Sequence, residues 1–318
     1  MKIGIIGSGL VGATSAYAIM MRKAANEIVL IDSNYKRAVA EAADLQHAVP
    51  FMHAVDIYAG SYKDLKGAGI VVIAAGASQK PGETRLMLME KNASILNEII
   101  SKSLEYVPGA VFIIATNPVD IITQISTNIA AGYGIPQSRI IGTGTTLDTA
   151  RFRTLLGRYI EVDPQNVHAY VIGEHGDSEV LLWSNIDIGG VSLHDFLDFR
   201  KLKLTEEIKT EIDHGVRNAA YRIIEGKGST YYGIGGAVAK IVDVINSDNR
   251  AVLTVCTLVE EIEGVKKVTL SLPHLIGGSG DLGVLPVKLD ENEKLLLKKS
   301  AGIIREKLDG YVPKLNNS

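Results

Sequence analysis

The chain has 318 residues, of which 46% are hydrophobic and 22% are charged, and its formal net charge is −3. This balance excludes the broad positive field that draws proteins to nucleic acid or to an anionic membrane. A single cysteine, Cys256, excludes a disulfide framework and a cysteine-based metal site, and it fits a cytoplasmic protein.

The chain opens with a strand, a glycine-rich turn and a helix. The predicted strand Ile3–Ile6 runs into Gly7–Gly12 (GSGLVG), and the predicted helix Ala13–Met21 follows. A second strand, Ile28–Ile31, ends at Asp32, 20 residues after the last glycine. This is the dinucleotide-binding arrangement. The glycines also argue against a signal peptide or membrane anchor, and no other stretch is long and apolar enough to cross a bilayer.

Each residue of this motif has a physical task. Gly7 permits the tight turn, Gly9 lets the backbone approach a pyrophosphate, and Gly12 allows close helix–strand packing. The helix N-terminus offers free N–H groups and a partial positive charge. Asp32 would accept hydrogen bonds from the adenosine ribose and repel the extra phosphate of NADP. We therefore predict NAD as the cofactor; the alternative is a glycine-rich turn in an unrelated α/β protein.

Strands and helices keep alternating as far as Gly142. Val71–Ala75 is unbroken and apolar, which is typical of a strand buried on both faces of a parallel sheet. We therefore predict an α/β fold with a doubly wound (Rossmann) parallel sheet and ligands at the C-terminal strand ends. The predicted elements are helix Asn34–Ala48, strands Val55–Ala59 and Gly69–Ala75, helix Leu86–Tyr106, and strands Ala110–Ala115 and Ile140–Gly142.

Polar segments follow two of these strands. Gly76–Arg85 has the glycines, proline and polar groups of a mobile lid. Thr116–Asp120 follows the next strand, where Asn117 can hydrogen-bond a ligand carbonyl or the nicotinamide region. Pro118 suits the first turn of the next helix.

The alternation stops at about residue 143. We therefore predict an NAD-binding Rossmann domain over residues 1–143 and an α+β substrate domain over residues 144–318, packed on one edge of the first. Its predicted elements are helix Thr145–Gly157, strand Val167–Ile172, extended chain Glu179–Ile188, helix Thr205–Glu225, turn Gly228–Gly233, helix Ala237–Asn246, strands Ala251–Leu258 and Lys267–Leu272, and helix Leu289–Leu308.

Two segments of this second half carry chemistry. His175 stands between two glycines in a strand-end loop, where an imidazole can donate and accept protons near neutral pH. A satisfied surface histidine in a tight turn is the alternative. Asp148 and Arg151 are three residues apart and share a helix face. Arg153 projects about 200° away from Arg151, so the two arginines should serve different sites.

Together these motifs resemble the lactate/malate dehydrogenase family over essentially the whole chain, and its bacterial L-lactate dehydrogenases most of all. The resemblance implies that pyruvate, NADH and a proton give L-lactate and NAD⁺ in a cytoplasmic enzyme of glycolysis and fermentation. The motifs that carry it are Gly7–Gly12 with Asp32, Gln79–Arg85, Thr116–Asp120, Leu147–Arg151 and Gly173–Ser178.

The resemblance also assigns catalytic roles. His175 is implied to be the acid/base, and Asp148 to hydrogen-bond its other ring nitrogen and favour the charged imidazolium. Arg151 is implied to clamp the substrate carboxylate through its planar guanidinium. Arg85 on the lid would polarise the ketone as charge develops on its oxygen.

Further residues bind substrate or cofactor on the same grounds. Asn117 would assist the polarisation, and Thr230 would line the pocket. Malate dehydrogenases of the family carry arginine at the position of Gln79, so a neutral glutamine favours pyruvate over oxaloacetate. The resemblance assigns NAD contacts to Gly7, Gly9, Val11, Gly12, Asp32, Arg37, Tyr62, Gly76, Ala77, Ala115, Thr116, Asn117 and Thr143.

Arg153 and His168 match residues that bind fructose 1,6-bisphosphate between subunits of allosteric bacterial lactate dehydrogenases. A two-fold axis would bring two copies of each together around a molecule with two phosphates. The resemblance thus implies an allosteric homo-oligomer, expected to be a tetramer. The alternative is one surface arginine and one surface histidine.

Three other functions stay open. A malate or other 2-hydroxy-acid dehydrogenase is the nearest, and position 79 argues against malate. An NAD-dependent glycosidase of related fold needs a metal held by cysteine and histidine, and Cys256 lies in an apolar run, so we predict no metal. A non-catalytic NAD-binding protein would not need His175, Asp148, Arg151 and Arg85 together.

Overall fold

The computed structural model describes residues 1–77 and 85–310, without the side chains of residues 85, 86, 88 and 89. In the first half, apolar strands alternate with helices as predicted, and the predicted ends differ from the observed ends by three residues at most. The elements are β1 (Lys2–Ile6), α1 (Leu10–Met21), β2 (Glu27–Ile31), α2 (Tyr35–Ala48), β3 (Asp56–Ala59), β4 (Ala68–Ile73), α3 (Arg85–Leu104), β5 (Val111–Ile114), α4 (Val119–Gly132) and β6 (Ile140–Gly142).

The second half mixes helices with short strands and one long hairpin. The helix Leu193–Arg200 and the strands Val191–Ser192 and Gly280–Val284 were not predicted from the sequence. The elements are α5 (Thr146–Ile160), β7 (Val167–His168), β8 (Val171–Ile172), β9 (Val180–Leu181), β10 (Asp187–Ile188), β11 (Val191–Ser192), α6 (Leu193–Arg200), α7 (Glu206–Arg217), α8 (Ala219–Lys227), α9 (Tyr232–Asn246), β12 (Ala251–Ile262), β13 (Val265–Gly277), β14 (Gly280–Val284) and α10 (Glu291–Asp309).

Three local predictions were wrong. The predicted strand Val167–Ile172 is divided, because β7 pairs with β10 whereas β8 pairs with β9. The predicted helix Thr205–Glu225 is two helices, because Asn218 leaves the helical conformation and its side-chain amide donates to the carbonyl of His214 (3.0 Å). Pro118 precedes the first turn of α4 instead of lying in it, and it follows a cis peptide bond.

In the described part of the chain, nine strands form one sheet in the order β14-β13-β12-β6-β5-β4-β1-β2-β3. The first six strands are parallel, and their order reverses between β1 and β4. In such sheets a ligand binds in the crevice at this point, outside the carboxyl ends of the strands. The hairpin of the second half extends the sheet through the antiparallel pair of Gly142 with Cys256.

The sheet is buried on both faces, which explains its unbroken apolar strands. One face packs against α1, α2 and α9, and the other against α3, α4 and α10. Helix α9 comes from the second half, yet its Gly235 lies against the backbone of Thr14 in α1, where a Cβ atom would be 3.1 Å away. Among the described residues, every helix is too short or too polar to span a bilayer.

Candidate active site

The glycine-rich turn has the shape that a dinucleotide needs. Gly7 has a φ of +97°, and a Cβ atom there would lie 2.5 Å from the backbone nitrogen of Ala75. A Cβ on Gly12 would lie 1.8 Å from the carbonyl oxygen of Gly7. Gly9 precedes α1, has open space where its Cβ would be, and leaves the helix without a side-chain cap. The N-terminus of α1 is therefore accessible to a pyrophosphate.

Asp32 faces the same turn from the end of β2. Its Oδ2 accepts hydrogen bonds from the backbone N–H (2.7 Å) and the hydroxyl (3.0 Å) of Ser8. Its Oδ1 accepts the N–H of Asn34 at 2.8 Å. The carboxylate is thus held in a fixed position while it remains half-exposed to the adjoining cavity.

This nucleotide cavity has a volume of about 550 Å³ and lies at the C-terminal ends of β1, β2 and β4. The cavity fits an adenine dinucleotide. The free N–H groups at the N-terminus of α1 can bind the pyrophosphate, and the Asp32 carboxylate can accept hydrogen bonds from the ribose. Val11 and Gly12 lie in α1 nearby, whereas Ala115, Thr116, Asn117 and Thr143 follow the ends of β5 and β6. The predicted cofactor residues that line it are Gly7, Gly9, Asp32, Arg37, Tyr62, Gly76 and Ala77.

The ends of β4 and β5 are bonded together beside this cavity. The Thr116 hydroxyl donates to the carbonyl of Ala75 (2.7 Å), and the N–H of Ala77 donates to Oδ1 of the buried Asn92 (2.8 Å). The chain then enters the predicted lid. Gln79 and the side chain of Arg85 lie outside the described residues.

The first turn of α5 is fixed to the strand that leads to His175. The Thr145 hydroxyl donates to the carbonyl of Val171 (2.5 Å), and Oγ1 of Thr149 accepts the N–H of the same residue (2.9 Å). Thr145 thus precedes the first turn of the helix without capping it through its side chain. Asp148 lies between these two threonines, and it is directed at the His175 loop.

Asp148 bridges the two cations that the sequence placed with it. Its Oδ2 lies 2.6 Å from Nδ1 of His175, and its Oδ1 accepts a hydrogen bond from Nη1 of Arg151 at 2.7 Å. Asp148 is 2% exposed, whereas the His175 side chain is 27% exposed. The structure therefore brings three of the four predicted catalytic groups together, with the histidine at the solvent side.

The charges of this cluster control the proton of the imidazole. Burial lowers the pKa of His175, but the Asp148 carboxylate, with smaller effects of Asp120 and Glu179, outweighs burial and raises the pKa to about 9. Burial raises the pKa of Asp148, yet His175 and Arg151 outweigh it and lower the pKa below its ordinary value. At neutral pH the pair is an imidazolium bonded to a carboxylate, and this arrangement can donate a proton from Nε2.

The loop around His175 is held from three sides. The backbone of Gly173, at a φ of +87°, exchanges two hydrogen bonds with Ser271 (both 2.9 Å). The N–H of Glu174 donates to the hydroxyl of Ser300 in α10 (2.8 Å). The N–H of His175 donates to Oδ2 of Asp120 in α4 (2.8 Å). A rigid loop suits a proton donor that must meet its substrate at a fixed distance.

His175 lines a second cavity, of about 790 Å³, which we call the His175 cavity. Pro118 shares its wall, so the turn that carries Asn117 reaches this site. Thr230 is half-buried between α8 and α9, and it is not one of the residues that line this cavity. The other lining residues are Glu174, Gly176, Asp177, Ser178, Glu179, Arg217, Tyr221, Leu296, Lys299, Ile303 and Lys307.

Two buried acids at this site, Asp120 and Glu179, have no role that the sequence predicts. They are 3% and 4% exposed. Burial, with the nearby charge of Asp148, raises the pKa of Glu179 to about 8. Asp120 had no distinct sequence signal, because an acid in the first turn of a helix is ordinary. Glu179 had no such signal either, because it follows a polar turn.

Arg153 has different surroundings from Arg151. Its Nε donates to the carbonyl of Ala169 (2.9 Å), and its guanidinium lies 5.4 Å from the ring centre of Tyr170. His168 is exposed on β7, next to Ala169. The structure thus places Arg153 beside the strand that carries His168. The described residues contain no group of three or more His, Cys, Asp or Glu side chains arranged to hold a metal ion.

Comparison with known sequences identifies both halves of the chain. Residues 1–142 match the lactate/malate dehydrogenase NAD-binding domain, and residues 145–313 match the lactate/malate dehydrogenase α/β C-terminal domain. The L-lactate dehydrogenase of Geotalea daltonii is 52% identical over 309 residues, which cover 97% of this chain and 99% of that relative. The L-lactate dehydrogenase of Thermus aquaticus is 49% identical and covers 96% and 97%.

Solved structures agree with the sequence relatives. A lactate dehydrogenase from a deep-sea metagenome library has a TM-score of 0.93 and 38% identity, covering 98% of each chain. The minor L-lactate dehydrogenase of Enterococcus mundtii has a TM-score of 0.92 and 37% identity, covering 98% of this chain and 99% of that one. The chain therefore belongs to the NAD-dependent lactate/malate dehydrogenase family.

Proposed function

We propose that the protein is an L-lactate dehydrogenase that interconverts pyruvate and L-lactate. Relatives at 52% and 49% identity over nearly the whole chain carry this name. The observation that carries the proposal is the contact of Asp148 with both His175 and Arg151. A small 2-oxo acid needs a proton at its ketone and a cation at its carboxylate, and this cluster supplies both.

Each of these groups has one task. The imidazolium of His175 donates its Nε2 proton to the oxygen of the substrate as the ketone is reduced. Asp148 holds Nδ1, which fixes the ring orientation and keeps the imidazole protonated until the substrate has bound. Arg151, already oriented by Asp148, offers its remaining N–H groups to the substrate carboxylate. NADH, when bound in the nucleotide cavity, supplies the hydride.

Four further residues complete the proposed substrate site. Arg85 and Asn117 polarise the ketone, and Thr230, which does not line the His175 cavity, contacts the substrate by the family match alone. Gln79 offers no countercharge to a second carboxylate, and it therefore favours pyruvate over oxaloacetate. These assignments rest on the match to the family motifs. For Asn117, the position of the neighbouring Pro118 in the wall of the His175 cavity is added support.

We also propose that fructose 1,6-bisphosphate activates the enzyme between two subunits of a homotetramer. The support is the position of Arg153 beside the strand of the exposed His168. The Nε of Arg153 is bonded to a neutral carbonyl, and no ion pair holds its guanidinium among the described residues, although Asp187 lies near enough to act on it. A two-fold axis at this surface would double the donors available to the two phosphates.

Steady-state oxidation of NADH with pyruvate and with oxaloacetate, each with and without fructose 1,6-bisphosphate, tests both proposals. We expect kcat/KM for pyruvate to exceed that for oxaloacetate, and the bisphosphate to lower the KM for pyruvate. A preference for oxaloacetate would favour a malate dehydrogenase and contradict the role of Gln79. An unchanged KM would contradict the effector site alone.

A further inference from the structure

Asp120 is a buried carboxylate in direct contact with the backbone of His175. It lies in the first turn of α4 and is 3% exposed. Its Oδ2 accepts the N–H of His175 at 2.8 Å. No described group donates to its Oδ1 with hydrogen-bond geometry, although the thiol of Cys256 faces the carboxyl group. The carboxylate is therefore fixed at one oxygen and only weakly satisfied at the other.

The position of Asp120 joins two parts of the site. It follows Asn117 by three residues, so its bond connects the turn after β5 with the His175 loop. The other two anchors of this loop, Ser271 and Ser300, hold Gly173 and Glu174. In the described part of the chain, Asp120 is the group that holds the amide of His175 itself. A shift of this bond would move the imidazole directly.

A purely structural anchor would not need a charge. An amide or a hydroxyl oxygen accepts one N–H bond as well, and its burial costs less than that of a carboxylate. The ionisable groups that face Asp120 among the described residues are His175, Glu174 and Cys256. Glu174 is also an acid, so the imidazolium of His175 is the facing group that offsets the buried charge.

We propose that Asp120 is a positioning residue of the reaction: its hydrogen bond to the backbone fixes His175, and its negative charge stabilises the protonated imidazole in addition to Asp148. This rests on the proposed acid/base role of His175. Burial raises the pKa of Asp120 to about 7. Its charge is also one of those that raise the pKa of His175, after the larger effect of Asp148.

Two variants separate the bond from the charge. Asp120→Asn keeps an oxygen that can accept the N–H of His175 but removes the charge, whereas Asp120→Ala removes both. Asp44→Asn, at an exposed position of α2, makes the same chemical change elsewhere and serves as the matched control. The primary readout is the pKa of His175 from an NMR titration of labelled histidine, with the resonance assigned through His175→Asn.

We expect Asp120→Asn to lower the pKa of His175 by about 0.5–1 unit, and the pH above which pyruvate reduction declines should fall by the same amount. Below that pH, its kcat should stay within about threefold of the parent value. Asp120→Ala should lower kcat by about 10- to 100-fold, because the imidazole is no longer held in place. Asp44→Asn should change none of these quantities.

An unchanged His175 pKa in Asp120→Asn, with only the thermal midpoint lowered, would overturn the proposal and leave Asp120 as an ordinary structural anchor. If Asp120→Ala fails to fold, the pKa of His175 in Asp120→Asn still tests the proposal. The NMR titration does not depend on turnover. A parent protein that fails to reduce pyruvate therefore contradicts the proposed function, while the titration separately shows whether Asp120 acts on His175.

Discussion

Oγ1 of Thr149 in α5 accepts the backbone N–H of Val171 in β8 at 2.9 Å. Asp148 precedes this threonine, and His175 lies four residues beyond the valine, so the bond sets the distance between the two catalytic groups. Both partners are buried, and Thr149 is also bonded to the hydroxyl of Thr254 (2.8 Å). The site is therefore assembled by buried polar contacts between a helix and two strands, in which Thr145, Thr149 and Thr254 take part.

Replacing Thr149 by valine should disturb the site while the side-chain volume in the core stays nearly the same. The N–H of Val171 would lose its acceptor, which costs about 1–3 kcal/mol of the free energy of unfolding. We also expect kcat for pyruvate to fall several-fold. Thr154→Val on the same helix is the control, because its hydroxyl bonds to the carbonyl of Ala150 in its own helix and, within the described residues, to no strand. Urea unfolding and steady-state kinetics measure both effects; equal behaviour of the two variants would disprove the role of Thr149.

The pH dependence of catalysis should follow the pKa of His175. Pyruvate reduction uses the protonated imidazole, so kcat/KM should be constant below the pKa of about 9 and fall above it. Lactate oxidation uses the neutral form and should increase as the pH rises toward 9. The pH dependences of the two reactions are measured in one buffer series at constant ionic strength.

Asp148→Asn should shift the pH dependence of both reactions to lower pH. Without this carboxylate, burial is opposed only by the smaller effects of Asp120 and Glu179, so the pKa of His175 falls and pyruvate reduction declines at a lower pH than in the parent protein. The kcat should also fall, because the ring loses the charged acceptor of Nδ1. Asp198→Asn, at an exposed position of α6, is the control. If pyruvate reduction by Asp148→Asn declined at the same pH as in the parent protein, a group other than the His175–Asp148 pair would control the pH dependence.

Gly12→Ala should abolish NADH binding. The new Cβ would lie 1.8 Å from the carbonyl oxygen of Gly7, so the phosphate-binding turn must move. Gly302→Ala in α10 is the matched control, since its Cβ would meet no atom within 4 Å. That change should raise the free energy of unfolding by about 0.5–1 kcal/mol. Quenching of protein fluorescence by NADH reports binding; a Gly12→Ala protein with parental affinity would contradict the fit of the turn.

Much of the fold could be predicted because its signals are local. The strands of the first half are buried on both faces, so they read as unbroken apolar runs such as Val71–Ala75. The GxGxxG turn is set by backbone sterics at Gly7 and Gly12. Asp148 and Arg151 share a helix face by spacing alone. These features need no knowledge of distant contacts.

The remaining features depend on contacts between distant segments. The strand Val167–Ile172 is broken because its two ends pair with different strands, and nothing in its β-branched sequence shows this. The helix break at Asn218 depends on a side-chain amide that competes for a carbonyl. Asp120 resembles an ordinary first-turn acid until the fold brings it to His175, 55 residues later. The sequence motifs indicated the catalytic groups, but they did not indicate the buried side chains that hold these groups in place.

The proposed mechanism depends on the His175 imidazolium protonating a 2-oxo acid. Pre-steady-state oxidation of NADH by pyruvate, compared between the parent protein and His175→Asn, tests it most directly. We predict a loss of about 10²–10⁴-fold in the rate of the first turnover, with the affinity for NADH retained. The exposed His194 provides the control His194→Asn, which should react at the parental rate. First-turnover rates within a few-fold of each other in parent and His175→Asn would contradict the account.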